Sequence, residues 1–489
     1  MTKVLLIYVN SFMDNLIPVG ISLLSSCLKN AGHDVMLFDT TFYRTSDKTG
    51  DDARVETLQI KKTNLAQYGI HPKEDMIGDF QKIISSHEPD IIGFSVVEST
   101  HHIMVKLLDT IDDYQGRVIV GGIHAMMCPD LILNHKNVDM VCIGEGEGAI
   151  VDLANRIEKK EDISGIPNIY QKKNGKIEIT PNRVLVNMDD LPFQDWSIYE
   201  KERLYKPMGG KVWTSGPIEL QRGCPYVCAF CCNAKLKENF GKGYVRQKSI
   251  EKFILEVKDK QKQYGINYLY LVAENFLGMD DKYFNDFIKY YRDIKLPFWI
   301  ETRPETITEE KLKQLKEIGC EGISIGVEHG NDSFRRSMLN RYVSNDAIIT
   351  AFKIAKKSGI RVSANNIIGF PEETRELIFD TIELNRTLQP DNIIVNIFCP
   401  YRGTKLFDMC VSKGYIDKNH IAGDYRGINA GLDMFQLTRE EIIGLQRTFP
   451  LYVRFPKEFY HRIKKAEINN KEFKELSYTF RVREGVINR

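Results

Sequence analysis

Twice along the chain, short apolar runs of strand length alternate with stretches of helical spacing, and that alternation permits few folds. In the first series residues 3–9 are a continuous apolar run, residues 18–30 carry Ile21, Leu24 and Leu28 on one helical face, and residues 34–39 form the next strand. Residues 91–97, a helix through Leu107 and Leu108, and strands at 117–122 and 138–143 repeat the cycle. Fully apolar strands separated by amphipathic helices predict a parallel sheet covered on both faces, a doubly wound α/β domain. Residues 43–80 read as a long polar excursion without regular pattern. The second series has strands at 218–221, 268–272, 298–301, 322–327, 361–368 and 392–398. Helices at 250–264, 283–294, 309–318, 345–358 and 373–388 stand between these six in turn. Six such strands predict a partial parallel barrel, a (β/α)6 array with its chemistry at the carboxyl ends of the strands. Polar or glycine-rich stretches fall at those ends: Glu274-Asn275, Thr302-Arg303, Glu328-His329, Gly369 to Glu372 and Tyr401 to Gly403.

These patterns divide the chain at 1–150, 151–205, 206–410 and 411–489. The 151–205 stretch reads as a connector, with a short hairpin arm at 176–179 and a proline–aromatic bridge, Leu191-Pro192-Phe193 and Asp195-Trp196, into the second domain. The last part is small and rich in helical pattern. From Leu451 it carries an excess of Lys and Arg with aromatics at Phe455, Phe459 and Tyr460, and reads as a cap over the barrel mouth or as a surface for substrate.

The first barrel strand runs into Gln-Arg-Gly-Cys-Pro-Tyr-Val-Cys-Ala-Phe-Cys-Cys-Asn, residues 221–233. Cys224, Cys228 and Cys231 stand in C-x3-C-x2-C spacing inside one loop. Three thiolates so close can hold three corners of a [4Fe–4S] cube and leave the fourth iron open. A zinc site would require a partner C-x2-C or H-x3-H, and none follows. Three buried structural cysteines are the alternative. Cys232 adjoins the trio and reads as a neighbour of the cluster. Cys27, Cys128, Cys142, Cys320, Cys399 and Cys410 have no cluster spacing and read as small buried hydrophobes.

Glycines close several strands of the first series: Gly93, Gly121-Gly122, and Gly144 with Gly146. At the carboxyl edge of a doubly wound sheet they either admit a flat or phosphorylated ligand or serve only as turns. The G-x-G-x-x-G dinucleotide pattern is absent.

A chain of 489 residues implies two or three domains, and a net charge of +1 supplies no footprint for nucleic acid. No apolar run of about 18 residues occurs, so no transmembrane helix is expected. The first residues lack the long apolar region and cleavage site of a signal peptide. With ten cysteines, most of them singletons, and an oxidation-sensitive cluster expected, the cytoplasm is the consistent location.

Pro18-Val19-Gly20-Ile21, Ala31-Gly32-His33, Pro89 to Ser95, Gly121-Gly122-Ile123-His124 and Gly144-Glu145-Gly146-Glu147, in that order, resemble the N-terminal domain of cobalamin-dependent radical S-adenosylmethionine (radical SAM) enzymes. The Asp-x-His-x-x-Gly loop that places histidine below cobalt in many cobalamin proteins is missing. The cysteine loop, with Arg222-Gly223-Cys224-Pro225 and Phe230-Cys231, is similar to the radical SAM motif. The resemblance implies a Rossmann-like cobalamin-binding domain followed by a radical SAM barrel. It implies cobalamin contacts at Ser95, Gly121, Gly122, His124, Gly144 and Glu145. His124 and His33 also read as structural hydrogen-bonding groups. S-adenosylmethionine contacts are implied at Glu274, Asn275, Glu328, Ile367, Gly369 and Glu372. Ala273-Glu274 replaces the usual acidic pair, and Asn365 replaces a glycine in the G-x-I-x-G-x-x-E segment.

The activity so implied begins with cleavage of S-adenosylmethionine to a 5′-deoxyadenosyl radical, which removes hydrogen from an unactivated carbon. Cobalamin then delivers a methyl group to carbon or phosphorus. A non-methylating rearrangement, cyclisation or oxidation is the alternative, and an iron–sulfur protein without turnover a further one. The partners implied are a small-molecule, peptide or lipid substrate and an electron donor such as flavodoxin or ferredoxin. Arg303 and Arg402 are further candidates for anionic groups.

Overall fold

The structure is a computed structural model that describes residues 1–173, 175–423 and 431–485. Parts of the expected C-terminal region, 424–430 and 486–489, lie outside the described residues.

The first sheet contains β1 (Lys3–Tyr8), β2 (Asp34–Asp39), β3 (Ile91–Ser95), β4 (Arg117–Gly121), β5 (Met140–Cys142), β6 (Ile169–Lys173) and β7 (Lys176–Glu178) in spatial order β2-β1-β3-β4-β5-β6-β7. β1 to β5 are parallel; β6 and β7 are antiparallel additions. The central four residues of β1 are buried because separate apolar cores cover the two faces, one holding Leu5 and Ile7, the other Val4 and Leu6. The expected division at residue 150 falls inside the helix Glu147–Lys159, and the hairpin read as a connector arm is an edge of this sheet.

The second sheet contains β8 (Tyr205–Met208), β9 (Lys211–Glu219), β12 (Tyr268–Val272), β13 (Phe298–Thr302), β14 (Cys320–Glu328), β15 (Arg361–Ile368) and β16 (Asn392–Ile397), ordered β16-β15-β14-β13-β12-β9-β8. The two-residue strands β10 (Gln221–Arg222) and β11 (Arg246–Gln247) pair separately. The six strands from β9 to β16 are parallel, as the barrel expectation requires. β9 starts seven residues before the expected strand. Gly209 and Gly210, both at positive φ, turn β8 back onto it, and the half-exposed start Lys211–Thr214 hides that strand from an apolar-run reading.

A further expectation changes. Residues 43–80 are not irregular: helix Gly50–Glu56 has a capping box between Thr49 and Asp52, and Met76–His87 is capped by Asp75. The first long helix of the C-terminal region covers the open edge of the barrel sheet. Arg439–Arg454 packs on β16 and on the helix Arg375–Leu388. β16 is the open edge of the barrel sheet, and two amide side chains complete it. Val395 N donates to Gln59 Oε1 (2.9 Å), and Val395 O accepts from Gln59 Nε2 (3.2 Å) and Gln446 Nε2 (3.0 Å). The excursion of the first domain and the C-terminal helix thus blunt one strand edge together.

Candidate active site between the two domains

β9 delivers the cysteine loop to the carboxyl end of the barrel. Gly223 has φ +84°, and a Cβ there would stand 2.7 Å from the Tyr244 carbonyl, so only glycine opens this turn. The loop is held from the segment after helix Asp332–Ser337: Ala229 N donates to Leu339 O (3.0 Å) and Asn340 Nδ2 to Val227 O (2.8 Å). Cys228 is buried; its sulfur accepts from Arg303 Nη1 at 3.3 Å, and Arg341 Nη1 lies 4.0 Å away. The Arg303 guanidinium stacks 3.7 Å over the Tyr226 ring and pairs with Glu305 at 2.6 Å. Burial pushes the Cys224 thiol up to about 11, whereas a hydrogen bond from Cys232 brings Cys231 down to about 7. Among the described residues no three His, Cys, Asp or Glu groups converge as a single ion requires. A cube is different: it meets each thiolate at a separate iron, so spread cysteines on one loop suit it.

Inside the barrel, Asn233 Nδ2 donates to Glu274 Oε2 (3.1 Å) and lies 3.6 Å from the Cys231 sulfur, so one amide joins cluster loop and carboxylate. Glu274 is open to cavity water yet walled by protein; burial and neighbouring Glu301 raise its pKa. Glu301 accepts from Tyr270 OH (3.0 Å) and is raised by burial. Glu328, at φ +63°, pairs with Arg341 Nη1 at 3.5 Å and is likewise raised by burial against the pull of Arg341 and Arg303. Asn275 Oδ1 accepts from Thr302 Oγ1 and Arg303 N, while its Nδ2, fully buried, has no partner. A cavity of about 340 Å³ runs from Glu274, Glu301 and Tyr270 to Tyr8 and the Asp14–Val19 loop of the first domain.

Along β15 the sides alternate. Asn366 faces the outer helices, exchanging hydrogen bonds with Asn385, which turns Ile367 inward. Gly369 has φ +82°, and Ile442 of the C-terminal helix stands 3.0 Å from where its Cβ would be, so that side of the glycine is taken up by helix packing. Glu372 is half exposed and hydrogen-bonded by Tyr415 OH. Its neighbour Glu373, fully buried, braces the turn. It accepts from Gly369 N and Phe370 N and meets His329 Nε2 at 2.9 Å.

A second cavity, about 280 Å³, opens at the carboxyl edge of the first sheet. Ser95, Gly121, Gly122, Gly144 and Glu145 line it, with Leu6, Ile21, Leu24, Ile119 and Ile150 as apolar walls. Gly122 (φ +92°) has no room for a Cβ, which would lie 2.7 Å from Val96 O. His124 does not line this cavity. Its buried ring contacts His101 Nδ1 (3.0 Å) and Cys128 Sγ (3.3 Å), and burial lowers it to about 3, which marks it as a structural group. The cavity's far wall comes from the barrel: Glu219 and Arg222. Arg222 pairs with Glu145 (2.9 Å), Glu147 (2.7 Å) and Glu219 (2.9 Å), and Arg246 also grips Glu145. Burial opposes the charge on Glu145, but Arg246 and Arg222 hold its pKa below the usual value. Sequence reasoning missed Asn233, Glu301, Arg341 and Glu219 because each acts across elements that only folding brings together.

Residues 218–384 match the family model described as the Radical SAM superfamily, and residues 5–154 that of the B12 binding domain. The chain is similar to the uncharacterized methyltransferase PH0819 of Pyrococcus horikoshii, at 29% identity over 76% of this chain and 81% of the relative. It is also similar to the cytidylyl-2-hydroxyethylphosphonate methyltransferase of Streptomyces wedmorensis, at 21% identity over 82% and 79%. Among solved structures, OxsB, a cobalamin-dependent S-adenosylmethionine radical enzyme, with aqua-cobalamin and S-adenosylmethionine bound, superposes with TM-score 0.67 at 16% identity over 99% of this chain and 71% of that one. TsrM of Kitasatospora setae, with cobalamin and a [4Fe–4S] cluster bound, gives 0.63 at 17% over 84% and 75%. These two likenesses bear on the fold.

Proposed function

The chain belongs to the cobalamin-dependent radical SAM enzymes, joining a B12 binding domain to a radical SAM domain, and on that premise we propose that it is a methyltransferase acting on an unactivated carbon or phosphorus centre. The observation that carries the reading is the meeting of the two sites. The sheet-edge cavity is walled by Glu219 and Arg222, and two residues beyond Arg222 the cysteine loop begins. When bound, the [4Fe–4S] cluster, S-adenosylmethionine and cobalamin supply reductive C–S cleavage and methyl delivery. The chain's own residues hold and orient these groups.

Cys224, Cys228 and Cys231 are the thiolates for three irons, with Arg303 and Arg341 stabilising the charge at Cys228. Glu274 and Glu328 suit the ammonium and hydroxyl ends of S-adenosylmethionine, Asn275 fixes Thr302 and the Arg303 backbone beside them, and Ile367 offers apolar contact. Ser95, Gly121, Gly122, Gly144 and the apolar wall suit the flat, partly apolar surface of cobalamin, with Glu145 holding the loop in place. Tyr8 and residues 14–19 bring first-domain groups to the barrel cavity, where a small-molecule substrate would sit between the sites; peptide and lipid substrates are outcomes of the same screen. No described helix is long and apolar enough to cross a membrane. A cytoplasmic location and a flavodoxin- or ferredoxin-type reductant complete the proposal.

The test is anaerobic reconstitution with iron, sulfide and cobalamin, then addition of S-adenosylmethionine, dithionite and candidate substrates. The reading expects 5′-deoxyadenosine together with S-adenosylhomocysteine. Absence of deoxyadenosine would overturn the radical chemistry. Deoxyadenosine without homocysteine would favour a non-methylating reaction, which the 25% identity to the anaerobic magnesium-protoporphyrin IX monomethyl ester cyclase of Rubrivivax gelatinosus keeps in view.

A further inference from the structure

Arg222 belongs to both sites at once. Its guanidinium lines the first cavity and carries three carboxylates that line it too: Glu145 and Glu147 from the sheet-edge loop and Glu219 from the end of β9. Its backbone is in β10, followed by Gly223 and then Cys224. Two residues span at most about 7 Å, so displacement of the guanidinium is felt at the first cluster cysteine with little slack. Gly223, locked in its turn by the Tyr244 carbonyl, leaves that stretch few ways to absorb a shift.

Glu219 supplies the other half of the device. It is 8% exposed, lines the cavity, and has one oxygen on Arg222 Nε while Oε2 has no partner. A buried carboxylate oxygen without a donor is costly, and a small turn of the Glu219 side chain toward the cavity it lines would let a ligand bearing amide N–H groups at its rim satisfy it. Glu145 is fixed by Arg246 and by Val186 N (2.9 Å), so the sheet-edge side of the network is rigid. Rearrangement is therefore directed to the Arg222 side.

We propose that Glu219 and Arg222 couple the two cofactor sites: Glu219 accepts a hydrogen bond from an amide of the ligand in the first cavity, and Arg222 transmits that occupancy to the cysteine loop. Arg222 is a positioning residue here, and the inference rests on cobalamin filling that cavity. Coupling is reciprocal, so cluster assembly must change cobalamin affinity by the factor by which cobalamin changes the cluster.

The test is a cycle of cobalamin dissociation constants, measured by absorbance with and without the reconstituted cluster, alongside the electron paramagnetic resonance spectrum of the reduced cluster with and without cobalamin. In the wild type the cluster should change cobalamin affinity about fivefold or more, and cobalamin should shift the cluster's g-values. Arg222→Gln should bring the ratio near one and remove the spectral shift. Glu219→Ala, which leaves Arg222 its bonds to Glu145 and Glu147, should weaken cobalamin binding and reduce the coupling while the iron content stays unchanged. That variant also decides the matter if Arg222→Gln fails to fold. Equal affinities with and without cluster in the wild type, or coupling intact in both variants, overturn the inference. A wild type that binds no cobalamin at all overturns the functional reading beneath it.

Discussion

Replacing Glu373 with Ala removes the acceptor that fixes the turn after β15. Three donors lose their partner together: Gly369 N, Phe370 N and His329 Nε2, all in a fully buried setting. A hydrogen bond to a charged group contributes about 1.5–3 kcal/mol. The three are not additive, and deleting one member of a buried charged constellation costs about 3–5 kcal/mol in total. For a domain of the barrel's size that is a fall in Tm of roughly 6–20 °C. Trp196, Trp213 and Trp299, the chain's three tryptophans, lie in or against the barrel, so urea unfolding followed by tryptophan fluorescence reads this domain. Glu372→Ala is the control. Its half-exposed carboxylate meets Tyr415 and Lys413 at the surface, and its loss should cost less than about 1 kcal/mol. Equal losses in the two variants, or less than about 1 kcal/mol for Glu373→Ala, would refute the assignment of the brace to Glu373.

Gly122→Ala should lower stability by about 1–3 kcal/mol and abolish cobalamin binding in a spectroscopic titration while iron loading is kept, because the new methyl meets the Val96 backbone. Arg303→Gln removes a charge and a hydrogen bond at Cys228, and should make the cluster harder to reduce by about 60–120 mV in a potentiometric titration. Glu328 has a folded-state pKa raised by burial, so the folded state holds its proton more tightly than the unfolded state does. Stability of the cofactor-free protein should therefore fall as pH rises from 4.5 through the raised value, and Glu328→Gln should flatten that slope in thermal unfolding at stepped pH.

Much of this architecture was legible because strand and helix periods differ and the six barrel strands are apolar runs. β12 (Tyr268–Val272) and the helix Asn345–Ser358 match their expected bounds. The start of β9 was missed although Gly209-Gly210 is a two-residue hairpin signal, because its outer half is wetted and alternates weakly. Met76–His87 was missed because its apolar positions, Phe80 and its neighbours, are diluted by the polar residues ahead of them. The cysteine loop was readable because its ligands are local. Glu373 was not, since one position in the sequence separates it from Glu372 and only the turn at Gly369 decides which faces inward. The fork of Arg222 on Glu145, Glu147 and Glu219 was beyond reach for another reason: its members come from two domains, and no local spacing encodes their meeting.

The central claim is that a radical SAM cluster and a methyl-carrying cobalamin work together in this chain, and it can be tested without knowing the substrate. The reconstituted, cobalamin-loaded protein is incubated anaerobically with S-adenosylmethionine bearing a deuterated methyl group and with a reductant, and the cobalamin is extracted for mass spectrometry. The account predicts the labelled methyl group on the extracted cobalamin, an equal amount of S-adenosylhomocysteine, and separate formation of 5′-deoxyadenosine that disappears in Cys228→Ala. Unlabelled cobalamin beside undiminished deoxyadenosine would contradict it.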